Sequence, residues 1–381
     1  MSEVFIAGTG NIPFGRHPDR SVVSMGVEAG IRALADAGLK AADIQIGFFA
    51  NALAGKLFGD LTVGQNVYAD LGLTGIPVMN VENACTSGST AFYLACMAIR
   101  SGEVDCAMVV GSEKMCVPQI GLLSSGDSEV DTMLGLVTPA SFALRARRHM
   151  DEFGTTPEQL AMVSVKSRFH SALNPAAQFS KAVTVEEVLA SPMIADPLTR
   201  LQSCPIADGA SALILCSATL ARRIGAVVRV RCAVLRTGNY ANPQDLARWS
   251  TDYEGARLAY EQAGIGPADL DVIECHDAFS IAEIMHYEAL GLCPPGGGGR
   301  FVESGASALG GRHPVNVSGG LLSRGHPVGA TGIEQIVELA TQLRGRAERR
   351  QVAGARTGLA HCMGGDKAAD TKSMTAVVLS V

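Results

Sequence analysis

Short apolar runs bounded by turn residues alternate along this chain with longer stretches of helical period. That rhythm predicts strands alternating with helices. Val4-Phe5-Ile6-Ala7-Gly8-Thr9-Gly10 reads as an opening strand and glycine turn, and Ser21 to Ala37 as a helix closed by Gly38. Ala41-Ala42-Asp43 starts a turn before a strand candidate, Ile44 to Phe49. An extended run, Ile76 to Val81, precedes Asn83-Ala84-Cys85-Thr86-Ser87-Gly88-Ser89-Thr90; the breaker-free run Ala91 to Ile99 then predicts a buried helix, and Asp105 to Gly111 a buried strand. From about 118 to 195 the rhythm lapses. Thr138, as N-cap before Pro139, opens a helix over Ala140 to Phe153, and Thr156-Pro157-Glu158-Gln159 opens the next. The core returns at Cys204-Pro205-Ile206-Ala207-Asp208-Gly209-Ala210, followed by a strand through Ala212 to Cys216.

The second half repeats the first. Ala37-Gly38-Leu39-Lys40-Ala41-Ala42-Asp43-Ile44 is echoed by Ala263-Gly264-Ile265-Gly266-Pro267-Ala268-Asp269-Leu270, each between a helix and a strand candidate. Val227 to Arg236 answers the opening strand, and Val272 to Cys275 the strand after the first copy. Asn316-Val317-Ser318-Gly319-Gly320, then Gly325-His326-Pro327-Val328-Gly329-Ala330-Thr331-Gly332 and the helix Ile333 to Leu343, answer the Cys85 loop and its helix. A period near half the chain implies a duplicated α/β unit, since a solenoid needs shorter repeats. Mixed sheets covered by helices follow.

This duplication gives two residues their interest. Cys85 falls on a tight strand-to-helix turn, where the helix dipole and free N–H groups favour a thiolate; the plainer reading is a buried, inert cysteine. His326 occupies the corresponding place in the second half. If the halves pack about a pseudo-twofold axis, thiol and imidazole share a pocket, the minimum for a base-activated nucleophile.

Composition narrows the classes. The 381 residues are 47% hydrophobic and 18% charged, which indicates a well-buried globular chain. A net charge of −6 without a basic run argues against nucleic acid. Arg145-Ala146-Arg147-Arg148-His149 reads as a solvated helix face or as a surface for phosphates. No apolar window is long enough to cross a membrane and no signal-type start is evident, so a cytoplasmic protein is expected. Its ten cysteines should be free thiols, and Cys96, Cys106, Cys116, Cys216, Cys232, Cys275 and Cys293 read as inert core or near-core residues. No C-x-x-C pair occurs, so no metal is implied. Gly8-x-Gly10 lacks a third glycine, and Gly296-Gly297-Gly298-Gly299 reads as a flexible loop.

Five pieces, in order, resemble the thiolase superfamily over essentially the whole chain: Asn83 to Gly88, Cys204 to Ala210, His276-Asp277-Ala278-Phe279, Gly325 to Gly332, and Cys362-Met363-Gly364-Gly365. The His-Asp-x-Phe form is similar to the sterol-carrier-protein and archaeal branches, although Ala278 stands where the former carry a second reactive cysteine. Cys362-Met363-Gly364-Gly365 resembles instead the Cys-x-Gly-Gly of ordinary thiolases; the archaeal branch has His-Asn-x-Gly-Gly here, which keeps His361 open as an alternative to Cys362.

The resemblance implies a thiolase fold of duplicated βαβαβαββ halves in a five-layered αβαβα core. Residues 1–118 with 196–222 would form the N-terminal half, 119–195 an excursion for substrate, CoA and assembly, and 223–381 the C-terminal half. It implies Cys85 as nucleophile and acyl carrier, His326 as its base, and Cys362 as the second acid/base. His276 and His326 would bind the enolate oxygen, and the backbone N–H groups of Cys85 and Gly364 would form a second oxyanion hole. Asn316, Phe279 and Met363 would bind substrate. Coenzyme A enters as substrate or product, with no covalently bound cofactor. The expected partners are acyl-CoA and CoA, a second copy in a homodimer, and a small protein with a zinc ribbon and an OB fold. The alternatives are a CoA-ester retro-aldolase on the same fold, or a thiolase subunit active only with the zinc-ribbon, OB-fold partner.

Overall fold

The computed structural model describes residues 3–121, 124, 126, 129–241 and 245–381. Its main strands are β1 (Val4–Asn11), β2 (Ile46–Ala50), β3 (Val78–Val81), β4 (Cys106–Glu113), β5 (Gly209–Ser217), β6 (Val228–Arg236), β7 (Val272–Glu274), β8 (Thr357–Lys367) and β9 (Asp370–Ser380). The main helices are α1 (Val22–Ala37), α2 (Val63–Asp70), α3 (Ser87–Arg100), α4 (Thr138–Phe153), α5 (Pro157–Ser171), α6 (Ser250–Ala263), α7 (Ser280–Ala289) and α8 (Val328–Leu343).

The predicted duplication is visible in the ladder. The nine-stranded order is β3-β2-β4-β5-β1-β6-β9-β8-β7. Read outward from the β1–β6 junction, each half runs antiparallel, antiparallel, parallel: β1-β5-β4-β2 on one side and β6-β9-β8-β7 on the other. β3 completes the first half, and a parallel bridge from Ile273 to Val315 stands in its place in the second. Antiparallel pairing of Val4–Ile6 with Val228–Val230 joins the halves into one sheet.

Strand alternation sorts side chains into layers. In β4, Ala107 and Val109 join an apolar cluster with Ala91, Phe92, Ile99 of α3 and Ile333, Ile336, Leu339 of α8. Cys106, Met108 and Val110 turn instead to Met25, Ala29 and Ala33 of α1. In β6, Val228 and Val230 face the central cluster; a register break opposite Val378 and Leu379 then shifts the phase, so that Ala233 faces that cluster while Cys232 and Val234 face Ala256 and Ala259 of α6. The two halves of the one sheet thus both face α3 and α8, giving helix, half-sheet, helix, half-sheet, helix, with α3 and α8 in the middle layer.

Local signals behave as their chemistry requires. α1 is capped by Ser21 and closed by left-handed Gly38 (φ 64°), and its counterpart α6 by Gly264 (φ 67°). Thr156 caps α5 with a reciprocal Gln159 contact. Thr138 is not the cap expected of it: α4 begins at Thr138, after Val137, which has no side chain to cap with. The glycine run is not a loose loop. Gly298 and Gly299 are buried and open a short helix, Gly298–Glu303, and the Gly298 N–H donates to Glu288 at 2.9 Å. The basic stretch divides by helical face: Arg145 and His149 are buried, while Arg147 pairs with Asp196, and Arg148 with Glu152 and Asp245. Its exposed charges are therefore neutralised by acids rather than presented to phosphates.

Candidate active site

Cys85 sits on the turn between β3 and α3. The residue before it, Ala84, is left-handed (φ 47°), a conformation costing a side chain about 1–3 kcal/mol. Hydrogen bonds hold it there. The Asn83 N–H donates to Ser87 Oγ (2.8 Å), the Ser87 hydroxyl to the Ala84 carbonyl (2.6 Å), and the Thr86 hydroxyl to the Asn83 carbonyl (2.7 Å). Asn83 Nδ2 donates to Thr90 and to Ser373 of β9, which ties the turn to the second half.

The helix starts converge because only small residues lie between them. A Cβ on Gly88 would come within 2.8 Å of the Gly329 carbonyl, and one on Gly332 within 2.7 Å of the Ser89 nitrogen. His326 thereby faces the Cys85 turn, and His276 arrives between β7 and α7. The two rings lie edge-to-face at 5.2 Å, and ligating atoms of Cys85, His276 and His326 all fall within 4.8 Å of one another. Cys362, on β8, completes the group: its Sγ lies 3.1 Å from the Cys85 carbonyl oxygen and 3.4 Å from His276 Nδ1. Gly364 backs onto the same turn, where a Cβ would meet the Cys85 nitrogen at 2.8 Å.

Thr331 sets the tautomer of His326. Its hydroxyl donates to the Pro327 carbonyl (2.9 Å), so its oxygen accepts from Nδ1–H of His326 at 2.7 Å. Nε2 is left as the basic nitrogen. Burial pushes the Cys85 thiol up to about 12, helped by the charges of Asp366 and Glu113, and holds His326 down at about 3, with Arg324 adding to the effect. Burial likewise raises Cys362 and lowers His276. At half-buried Cys85 desolvation therefore works against the expected thiolate. Desolvation opposes the helix dipole and favours the neutral form of each thiol and imidazole in the site.

Other expected residues lie further back. Asn316 is fully buried at φ 56°; its Oδ1 accepts from the Cys275 N–H (2.8 Å) and its Nδ2 donates to Glu283 (2.7 Å), so its side chain is spent on the loop carrying His276. Phe279 stacks on Phe142 of α4 at 4.5 Å, and Met363 packs in that same outer cluster. His361 points away from Cys85, toward Asp252. Sequence reasoning passed over Thr331, Ser373 and Glu113. Buried Glu113 accepts the N–H of Gly329, at the start of α8, and those of Ala52 and Leu53. A lone carboxylate closing an apolar strand was the one available sign of it. All ten cysteines are free.

A family model described as the thiolase N-terminal domain matches residues 4–219, and one described as thiolase C-terminal domain-like matches residues 234–379. This chain belongs to the thiolase family. Among relatives of this thiolase, an acetyl-CoA acetyltransferase of Methanothermobacter thermautotrophicus is 42% identical over 96% of the chain and 97% of that protein. The benzoylsuccinyl-CoA thiolase subunit BbsB of Thauera aromatica is 39% identical, covering 95% of each. Human sterol carrier protein 2 is 39% identical over 96% of this chain and 70% of its own length. Among solved structures, the Ltp2-ChsH2(DUF35) aldolase superposes with a TM-score of 0.82 at 25% identity, covering 100% of this chain and 98% of that one. Human mitochondrial 3-ketoacyl-CoA thiolase in complex with CoA gives 0.77 at 17% identity, with the same coverage. The chain is accordingly an acyltransferase of the thiolase type. Among the described residues, no helix is long and apolar enough to cross a membrane.

Proposed function

We propose that this thiolase cleaves a 3-oxoacyl-CoA with free CoA, or runs the reverse Claisen condensation, through an acyl group carried on Cys85. The Cys85 sulfur attacks the 3-oxo carbon as its proton passes to Nε2 of His326. The bond between C2 and C3 then breaks, and its electron pair leaves on C2 as the enolate of the departing acyl-CoA. Cys362 protonates that carbon. Free CoA then attacks the acyl carbon, giving its thiol proton to the Cys362 thiolate, and Cys85 leaves as a thiolate that takes back the proton held on His326, so the acyl group departs as a new thioester. His276 and His326 bind the enolate oxygen; the N–H groups of Cys85 and Gly364 bind the other oxyanion. Each fixed donor is worth roughly 3 kcal/mol in such a transition state.

The observation that carries this reading is the meeting of Cys85, His276, His326 and Cys362 at the starts of α3 and α8. Burial favours the neutral thiol and imidazole, so in this proposal proton transfer accompanies attack instead of preceding it. The test is intact mass after mixing with acetyl-CoA or a short 3-oxoacyl-CoA, acid quench and peptide mapping. An acyl group on the Cys85 peptide is expected. Full turnover by Cys85→Ala, without an adduct, would end the reading.

The 119–195 excursion shapes the acyl pocket in this proposal, between halves of 1–118 with 196–222 and of 223–381. The working unit is a cytoplasmic homodimer joined by a small zinc-ribbon, OB-fold protein. Support for a second chain comes from two names: one relative is called a subunit of benzoylsuccinyl-CoA thiolase, and the aldolase neighbour's name joins two components. That neighbour also favours the second reading, a retro-aldolase. Release of an aldehyde or ketone without free CoA would support it, and the paired thiols Cys85 and Cys362 weigh against it.

A further inference from the structure

Joined to His276 through its backbone carbonyl lies a second group of side chains that the proposed reaction does not use. Asp252 comes from α6, His286 from α7 and His361 from β8, with one ligating atom of each within 4.8 Å of the others. All three are at most 1% exposed.

One contact constrains the protons. His286 Nε2 stands 3.1 Å from the His276 carbonyl oxygen, which can only accept, so Nε2 carries the hydrogen. In the neutral ring, Nδ1 is then a lone pair, and it faces Asp252 Oδ2 at 3.0 Å. His361 Nε2 lies 3.4 Å from the other oxygen, Oδ1. Both Asp252 oxygens, His286 Nδ1 and both His361 nitrogens lack a hydrogen-bond partner among the described residues. Buried polar atoms in that state are costly, and a cation placed between them removes the cost.

We propose that Asp252, His286 and His361 form a site for one divalent first-row transition-metal ion of the zinc type. The carboxylate turns one oxygen toward each imidazole, so two oxygens and two nitrogens supply four donors of the kind such ions take. Anchoring the far nitrogen of a ligating imidazole on a backbone carbonyl, as at His286, is the usual support for such a ligand. Arg145 is committed to Asp366 and to the carbonyls of Leu246 and Ala369, and it shares its charge among Asp366, Asp370 and Asp252. The ion ties α6, α7 and β8 together, and so fixes the His276 carbonyl and the residue preceding Cys362.

The test is zinc analysis of the full chain, expressed in zinc-supplemented medium without a metal-binding tag. About one equivalent per chain is expected, kept in Cys85→Ala and lost in Asp252→Asn and His361→Gln. Zinc-edge X-ray absorption on the unmutated chain needs no variant to fold; it should give a nitrogen and oxygen shell at ~2.0–2.2 Å. A sulfur neighbour at ~2.3 Å would move the ion to Cys85 and overturn the assignment. So would zinc content unchanged in Asp252→Asn. A chain that stays metal-free after prolonged incubation with zinc would also overturn it, leaving a protonated His286 paired with Asp252. Failure here leaves the thiolase reading intact, because no step of that reaction uses these three residues.

Discussion

The starts of α3 and α8 are the same device built twice, and they differ in the residue each presents. Before α3 the chain bends through Ala84 at φ 47°, held by the hydroxyls of Thr86 and Ser87. Before α8 it bends through Gly325 at φ 110°, where a Cβ would meet Gln178 Oε1 at 2.8 Å. One bend offers a thiol and the other an imidazole. The same burial acts on them in opposite senses, raising Cys85 and lowering His326, because desolvation favours whichever form is neutral. Duplication thus supplies symmetric positions, while side-chain identity divides the labour between nucleophile and base.

The largest break in that comparison removes one partner outright. Cys85→Ala is expected to lower kcat by roughly 10⁵- to 10⁶-fold, as loss of a nucleophile does, with no acyl adduct by mass. Gly364→Ala should follow, since its Cβ has only 2.8 Å to the Cys85 nitrogen. Displacing that N–H should cost roughly 10²- to 10³-fold in kcat, and a near-native circular dichroism spectrum would separate this from unfolding. Thr331→Val sharpens the other side. It removes the acceptor that fixes the His326 tautomer and should cost roughly 10- to 100-fold in kcat with KM little changed, a part of the acid–base contribution. The last test is read without substrate and leaves the chain unaltered. With the Cys85 thiol near 12, its thiolate fraction should rise about tenfold per pH unit. Iodoacetamide labelling of Cys85 should therefore climb steadily from pH 7 to 9. A plateau across that range would mean a preformed thiolate–imidazolium pair.

Much of the scaffold was legible. Apolar runs marked the strands, Gly38 and Gly264 ended matching helices, and the repeat announced two halves. The candidate nucleophile and base were legible because each follows a strand signal with a cluster of small residues. What could not be read depends on contacts from afar. Asn316 belongs to a matched loop, and that its amide bonds to Cys275 and Glu283 is visible only in the fold. The glycine run looked loose because glycine is permissive alone, but Gly299 is packed so tightly against Gln159 that a Cβ would lie 2.3 Å from it. Arg145 and Arg148 read alike in sequence; the helix buries one over Trp249 and leaves the other half-exposed, paired with Glu152 and Asp245.

By itself the sequence determined the periodicity, the duplication and which residue types stand at the two helix starts, because these are local properties of neighbouring residues. Tertiary structure decided the rest: that Cys362 reaches His276 across 86 residues of chain, that Thr331 orients His326, that burial favours the protonated thiol, and that Asp252, His286 and His361 meet at all. Distance through space and loss of solvent set these properties, and neither is written in the order of residues along a chain.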